Sequence, residues 1–199
     1  MNTKPYASAS SRNAKAIAGV LLHEFRNCKD VLEIGSGTGQ HAVTFARELD
    51  HLIWQTSDLK PSHAGIREWI RDSKLSNVHE PRVLDVLTDT VEAGTFDAVY
   101  SSNTAHIMSY SAVCRMFDLV GEALTECGVF CLYGPFSRSG EFSTLSNVEF
   151  DTSLRARNAA MGIRDLEDLD ALACSNGMKL ARLYAMPANN LTAVWHKRR

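Results

Sequence analysis

Residues 31–41 read VLEIGSGTGQH. Val31, Leu32 and Ile34 make a short apolar run of the strand type. Gly35, Gly37 and Gly39 follow at alternate positions, and Glu33 stands two residues before the first of them. Glycine weakens a strand interior, so this run marks a turn that needs positive φ or a close approach to its backbone. Ala42, Phe45, Ala46 and Leu49 then recur at helical spacing. A strand, a glycine turn and a helix form the unit at which open α/β sheets bind ligands, at the carboxyl end of the strand.

The same alternation continues outward. A helix is expected over 12–26, capped by Ser10 or Ser11, with Ile17, Val20, Leu21 and Phe25 on one face. Strands are expected at 52–57, ending on Asp58, then at 82–84, ending on Asp85, then at 96–100 and 128–134. Pro61 opens a helix between the second and third strands, and a further helix covers 111–126. Residues 134–164 read as one long irregular stretch, followed by a helix at 166–176. Strands 179–186 and 191–196 flank Pro187-Ala188-Asn189-Asn190, which is a hairpin signal. The fold class is α/β: a doubly wound, mostly parallel sheet in one domain over 1–199, with an antiparallel hairpin at the end.

Composition narrows the function. The chain has 199 residues, 45% of them hydrophobic, which suits one domain with a full core. A net charge of −2 gives no general attraction to nucleic acid, and no basic stripe with interleaved aromatics appears. The closing His196-Lys197-Arg198-Arg199 reads as a solvated tail. No signal-peptide core and no membrane-length apolar run are present, so a cytoplasmic protein is expected. The five cysteines form no CxxC pair. They read as small buried residues of a reducing compartment, with no metal site.

The chemistry of the turn follows from its neighbours. No Lys-Ser/Thr follows the glycines, and the spacing is GxGxG rather than GxGxxG. Both facts argue against a phosphate, and the Glu33 carboxylate argues against one more strongly. A carboxylate there suits a cation. S-adenosylmethionine carries an ammonium and a sulfonium and no phosphate. Asp58 lies 19 residues after Gly39, at a strand end, where an acid accepts from both ribose hydroxyls. The plain alternative is a tight turn with acids at strand ends.

Several stretches together resemble one family: RNAKAI (12–17), VLEIGSGTGQHAVTFA (31–46), WQTSD (54–58), LDV (84–86), NTAHI (103–107), LYGPF (132–136), SNVEFDTSLR (146–155), GIRD (162–165) and PANN (187–190). They resemble the class I methyltransferases. More narrowly they resemble the domain-of-unknown-function family 938, which includes the methyltransferase-like 26 proteins. Where that family usually reads WQPSD, this chain has Thr56. The resemblance implies a seven-stranded sheet in the order 3-2-1-4-5-7-6 and S-adenosylmethionine as donor. It places Glu33, Gly35, Ser36, Gly37, Gly39, Asp58, Asp85, Asn103 and Arg12 at the donor, with Asp85 at the adenine edge.

The methyl acceptor is then expected above strands four and five. Asn103 and His106, three apart, are the candidate catalytic pair, with His106 as base or positioning group. Tyr133, Phe136, Asn147, Phe150, Arg155, Arg164 and Asn189 are the candidate acceptor residues. Arginines there suit a small anionic metabolite; pairing with Asp151 and Asp165 is the competing role. Tyr6 could touch either ligand, or residues 1–9 could be a functionless leader. Three other readings stay open: a non-catalytic S-adenosylmethionine-binding module, a methyltransferase acting on a macromolecule, and a nucleotide-dependent oxidoreductase.

Overall fold

The computed structural model describes residues 4–198. Its helices are α1 (Ser8–Glu24), α2 (Gln40–Glu48), α3 (His63–Ser73), α4 (Tyr110–Ala123), α5 (Leu145–Arg157) and α6 (Leu166–Ser175). The strands are β1 (Asp30–Ile34), β2 (Ile53–Asp58), β3 (Val78–Val83), β4 (Phe96–Ser102), β5 (Leu124–Gly134), β6 (Phe136–Ser137), β7 (Arg164–Asp165), β8 (Met178–Met186) and β9 (Asn190–Lys197). Seven of them form one sheet in the order β3-β2-β1-β4-β5-β9-β8, and β6 pairs with β7. The first five of the large sheet run parallel, while β9 runs antiparallel to both β5 and β8. This is the expected order, with its terminal hairpin.

Residues on the central strands alternate between two apolar cores, because successive side chains point to opposite faces. Val31, Ala98, Tyr100 and Cys131 pack with α1 and α2. Leu32, Val99, Phe130 and Leu132 pack with α4 and α6. With both faces covered, every carboxyl end of the parallel strands opens on one edge, and the glycine turn lies there.

Several expectations are corrected. First, α1 begins at Ser8, with Ala7 as its cap residue and no side-chain cap. Ser10 and Ser11 lie inside it, and Gln40 Oε1 accepts the Ala7 N–H instead. Of the expected leader, residues 1–3 lie outside the described residues, whereas Lys4 pairs with Asp72 at 2.9 Å and lies over Trp69. Second, β3 starts at Val78, four residues early. Its polar, Pro81-containing pattern fits an edge strand, which hides the usual signal. Third, the stretch read as irregular holds α5, capped by Thr144. Its buried residues are Asn147, Asp151 and Leu154, while Leu145 and Val148 are exposed, so no apolar stripe announces it.

Fourth, the basic end is not a free tail. Lys197 Nζ donates to the Gly121 and Leu124 carbonyls at 2.6 and 2.8 Å, tying β9 to the end of α4. Arg199 lies outside the described residues. Among the cysteines only Cys131 is buried; Cys127 and Cys174 are exposed, and all five are free.

Candidate functional site

The three glycines have different reasons to be glycine. All have positive φ: 75° at Gly35, 57° at Gly37 and 89° at Gly39. A Cβ on Gly35 would sit 2.7 Å from Thr104 Cγ2, and one on Gly39 would sit 2.9 Å from Ile66 Cα of α3. Those two positions are closed by the protein itself. A Cβ on Gly37 would meet nothing within 4 Å and would project into open space. Ser57 O anchors the turn, accepting from the Gly35 and Ser36 N–H groups at 3.0 and 2.9 Å.

Three carboxylates stand along this edge. Glu33 is 2% exposed, and its Oε2 accepts from Ser36 Oγ at 2.8 Å and Trp54 Nε1 at 3.0 Å. Burial pushes its carboxyl up to about 7; the two donors oppose this and the nearby Asp58 charge adds to it. Oε1 accepts from none of the described residues, and Glu33 lines the cleft described below. Asp58 Oδ2 accepts from the Gly37 N–H at 2.7 Å, and Oδ1 accepts from Leu59 N–H and Ser62 Oγ at 2.7 and 2.9 Å. Asp58 therefore shapes the turn as well as lining the cleft. Asp85 lies two residues beyond β3, and its Oδ1 accepts from Leu87 N–H at 3.0 Å.

These groups share a cleft of about 500 Å³. One wall comes from Ala7 and Ser10 at the start of α1, another from Leu59, Leu84 and Asp85, and a third from Ser102, Asn103, Thr104 and Met108. Glu33, Asp58 and Asp85 all line it, and no lysine or arginine among the described residues does.

His41 was not among the expected site residues, yet it lines the cleft. Its Nε2 lies 2.8 Å from Asn13 Oδ1 and 3.2 Å from Ser10 O, and its Nδ1 lies 3.1 Å from Ser102 Oγ. Burial lowers its pKa to about 4. The only sequence signal was its place at the end of the quoted stretch. Its partners on α1 and β4 are far away along the chain.

On the acceptor side, Asn103 has φ of 56°, lines the cleft and donates its N–H to Tyr133 O at 2.9 Å. His106 lies on the far side of that turn, outside the cleft lining, edge-on to Phe150 of α5 with ring centroids 5.3 Å apart. It is 6% exposed, and neither ring nitrogen bonds a described residue. Burial, then Arg164 and Arg157, lower its pKa to about 4, so the ring is neutral at pH 7.

The remaining residues scatter. Asn147 is buried in α5 and bonds Ser143 Oγ at 3.2 Å; Asn189, in the hairpin turn, donates to Ser146 Oγ at 3.4 Å. Tyr133 is buried on the α1 face, while Phe136 packs in the opposite core. Arg155 Nε donates to Asp151 at 2.7 Å. Arg164 is buried and donates to the carbonyls of Ala105, Met108 and Ala160. Both arginines line a separate depression with Ser137 and Asp168, and neither faces the cleft. The expected arginine fork is therefore not assembled there. Arg12 is exposed on α1 and is also absent from the cleft lining.

The sheet order, the glycine turn and the strand-end acids define the class I methyltransferase fold. The chain belongs to the family described as "Protein of unknown function (DUF938)", whose model matches residues 4–197. Several solved methyltransferases share the architecture. The mitomycin 7-O-methyltransferase MmcR is 17% identical with a TM-score of 0.83, over 96% of this chain and 55% of that one. An O-methyltransferase family 2 protein from Planctomyces limnophilus, solved with apigenin, is 15% identical with a TM-score of 0.83, over 96% and 58%. Human N-acetylserotonin methyltransferase, solved with S-adenosylmethionine, is 10% identical with a TM-score of 0.82, over 96% and 53%. The chain thus spans a little over half the length of these proteins, and the likeness is one of fold.

Proposed function

We propose that this chain is an S-adenosylmethionine-dependent methyltransferase acting on a small molecule. The observation that carries the reading is the cleft wall: three carboxylates, a glycine open to the cavity at position 37, and no lysine or arginine among the described residues. Such a wall repels the pyrophosphate of a dinucleotide and suits a nucleoside that carries positive charge. Gly37 leaves the space a Cβ would take, Asp58 keeps one acceptor site for the ribose beside its three internal donors, Asp85 offers acceptor capacity for the base, and Glu33 lines the cleft with an Oε1 that has no partner among the described residues. When bound, the donor supplies an electrophilic methyl on sulfur.

The chain's own residues then have the task of placing an acceptor. Asn103 borders the cleft, and His106 stands just beyond it as a neutral ring with open nitrogens. We place the acceptor hydroxyl between them. His106 would orient that hydroxyl and take its proton at a ring nitrogen as the oxygen is methylated. Holding both reactants in line is worth about 7–11 kcal/mol at best, so a weak base is enough. Since Arg155 and Arg164 are engaged elsewhere, a neutral polar acceptor fits this arrangement better than an anion. The solved O-methyltransferases of the same fold support an oxygen acceptor. Kinship with the methyltransferase-like 26 proteins rests on SNVEFDTSLR, which forms much of α5, and on PANN in the β8–β9 turn.

The test is calorimetric titration of the full chain with S-adenosylmethionine, S-adenosylhomocysteine and NAD. Micromolar binding of the first two and none of the third is expected; preference for NAD would end the proposal. Screening hydroxylated metabolites with labelled donor then separates an enzyme from a binding module.

A further inference from the structure

The protons around His41 can be placed one by one. Ser10 O is a backbone carbonyl and only accepts, so a proton sits on Nε2, 3.2 Å away, whichever way the Asn13 amide is turned. The ring is buried and neutral, so Nδ1 carries a bare lone pair. Two hydroxyls face that nitrogen: Ser102 Oγ at 3.1 Å and Tyr100 OH at 3.4 Å. Ser102 Oγ is the nearer of the two and donates to Nδ1, so its proton points into the wall. The side of Ser102 that lines the cleft is then lone pair only.

The location of Ser102 gives this a meaning. Strands β3, β2, β1 and β4 are neighbours in that order, and Asp85, Asp58, the glycine turn and Ser102 stand at or just beyond their carboxyl ends. With base and ribose at Asp85 and Asp58, the amino-acid end of the donor falls beside β4. We propose that Ser102 is an acceptor-only contact for the ammonium at the amino-acid end of the donor, and that His41 is the positioning residue that turns the Ser102 proton away from it. This deepens the donor assignment above and rests on it.

The experiment compares two ligands by calorimetry on the full chain. S-adenosylmethionine carries the ammonium; 5′-methylthioadenosine shares the nucleoside and its sulfur but lacks the whole amino-acid end. Ser102→Ala should weaken S-adenosylmethionine about tenfold, as for one hydrogen bond to a charged group, and methylthioadenosine less than twofold. His41→Phe should match that loss, and the double variant should lose no more than either single one. His41→Gln, whose amide supplies both an acceptor and a donor, should recover most of the affinity. Equal losses for both ligands, or additive losses in the double variant, overturn the proposal. If His41→Phe does not fold, Ser102→Ala and His41→Gln decide the matter between them. Failure of the unmodified chain to bind either ligand would instead overturn the donor assignment, and this inference with it.

Discussion

Glu33→Gln should make the protein more stable and a poorer binder, and the size of the first effect follows from the site. The carboxyl is enclosed between β1, β2 and the turn, and burial lifts its pKa from the ordinary 4.5 to about 7. An acid with a raised pKa keeps its proton in the folded state after the unfolded chain has released it. Stability therefore falls as pH rises from about 4.5 to about 7, and is flat above. At about 1.36 kcal/mol per pH unit, that window amounts to about 3 kcal/mol. The amide oxygen of the substituted side chain would still accept from Ser36 and Trp54, without the cost of a buried charge. Urea unfolding of both forms, followed by circular dichroism from pH 4.5 to 8, checks this. The two should coincide near pH 4.5, and the variant should lead by about 3 kcal/mol at pH 8. Parallel stability curves, or a native chain more stable at pH 8, would refute the reasoning. Affinity for S-adenosylmethionine should move the other way, since the variant offers no charge to the cation.

Other outcomes can be stated briefly. Gly37→Val should abolish S-adenosylhomocysteine binding and, because a φ of 57° strains a β-branched residue, also lower the Tm, whereas Gly39→Ala should cost about 1–3 kcal/mol of stability from positive φ and the Ile66 contact and leave binding by the folded fraction intact; calorimetry well below the Tm and thermal unfolding separate the two. Asp58→Ala should weaken the donor by about 1–3 kcal/mol, because it removes the ribose acceptor and frees the Gly37 N–H; less than a twofold change in Kd would take Asp58 out of the site. His106→Ala should leave donor affinity within twofold and lower turnover of a hydroxyl acceptor roughly a hundredfold, a typical worth for a proton acceptor; single-turnover rates decide it. Arg164→Met should destabilise the fold by about 3 kcal/mol, because it strands the carbonyls of Ala105, Met108 and Ala160. A native Tm with lost acceptor binding would instead return Arg164 to the substrate.

The alternation of strand and helix, the sheet order and the acidic glycine turn were all legible in the sequence. Each is written in residues close together in the chain: strand runs a few residues long, helical spacing of three and four, glycines at alternate positions. The place of Glu33 beside the turn was also visible, but its burial against Trp54 and Ser36, and the raised pKa that follows, come from the folded structure. What the chain could not show locally is whatever depends on a partner far along it. α5 was hidden because its inward face is Asn147 and Asp151 rather than an apolar stripe. The Arg155–Asp151 pair, four residues apart on α5, was legible as the competing role, whereas Arg164 looked like an anion ligand by type yet donates to carbonyls that only the folded turn after β4 brings near. His41 sat in plain sight within the decisive stretch. Its tautomer, and with it the direction of the Ser102 proton, is set by a carbonyl from α1 and hydroxyls from β4 that the tertiary structure alone places around the ring.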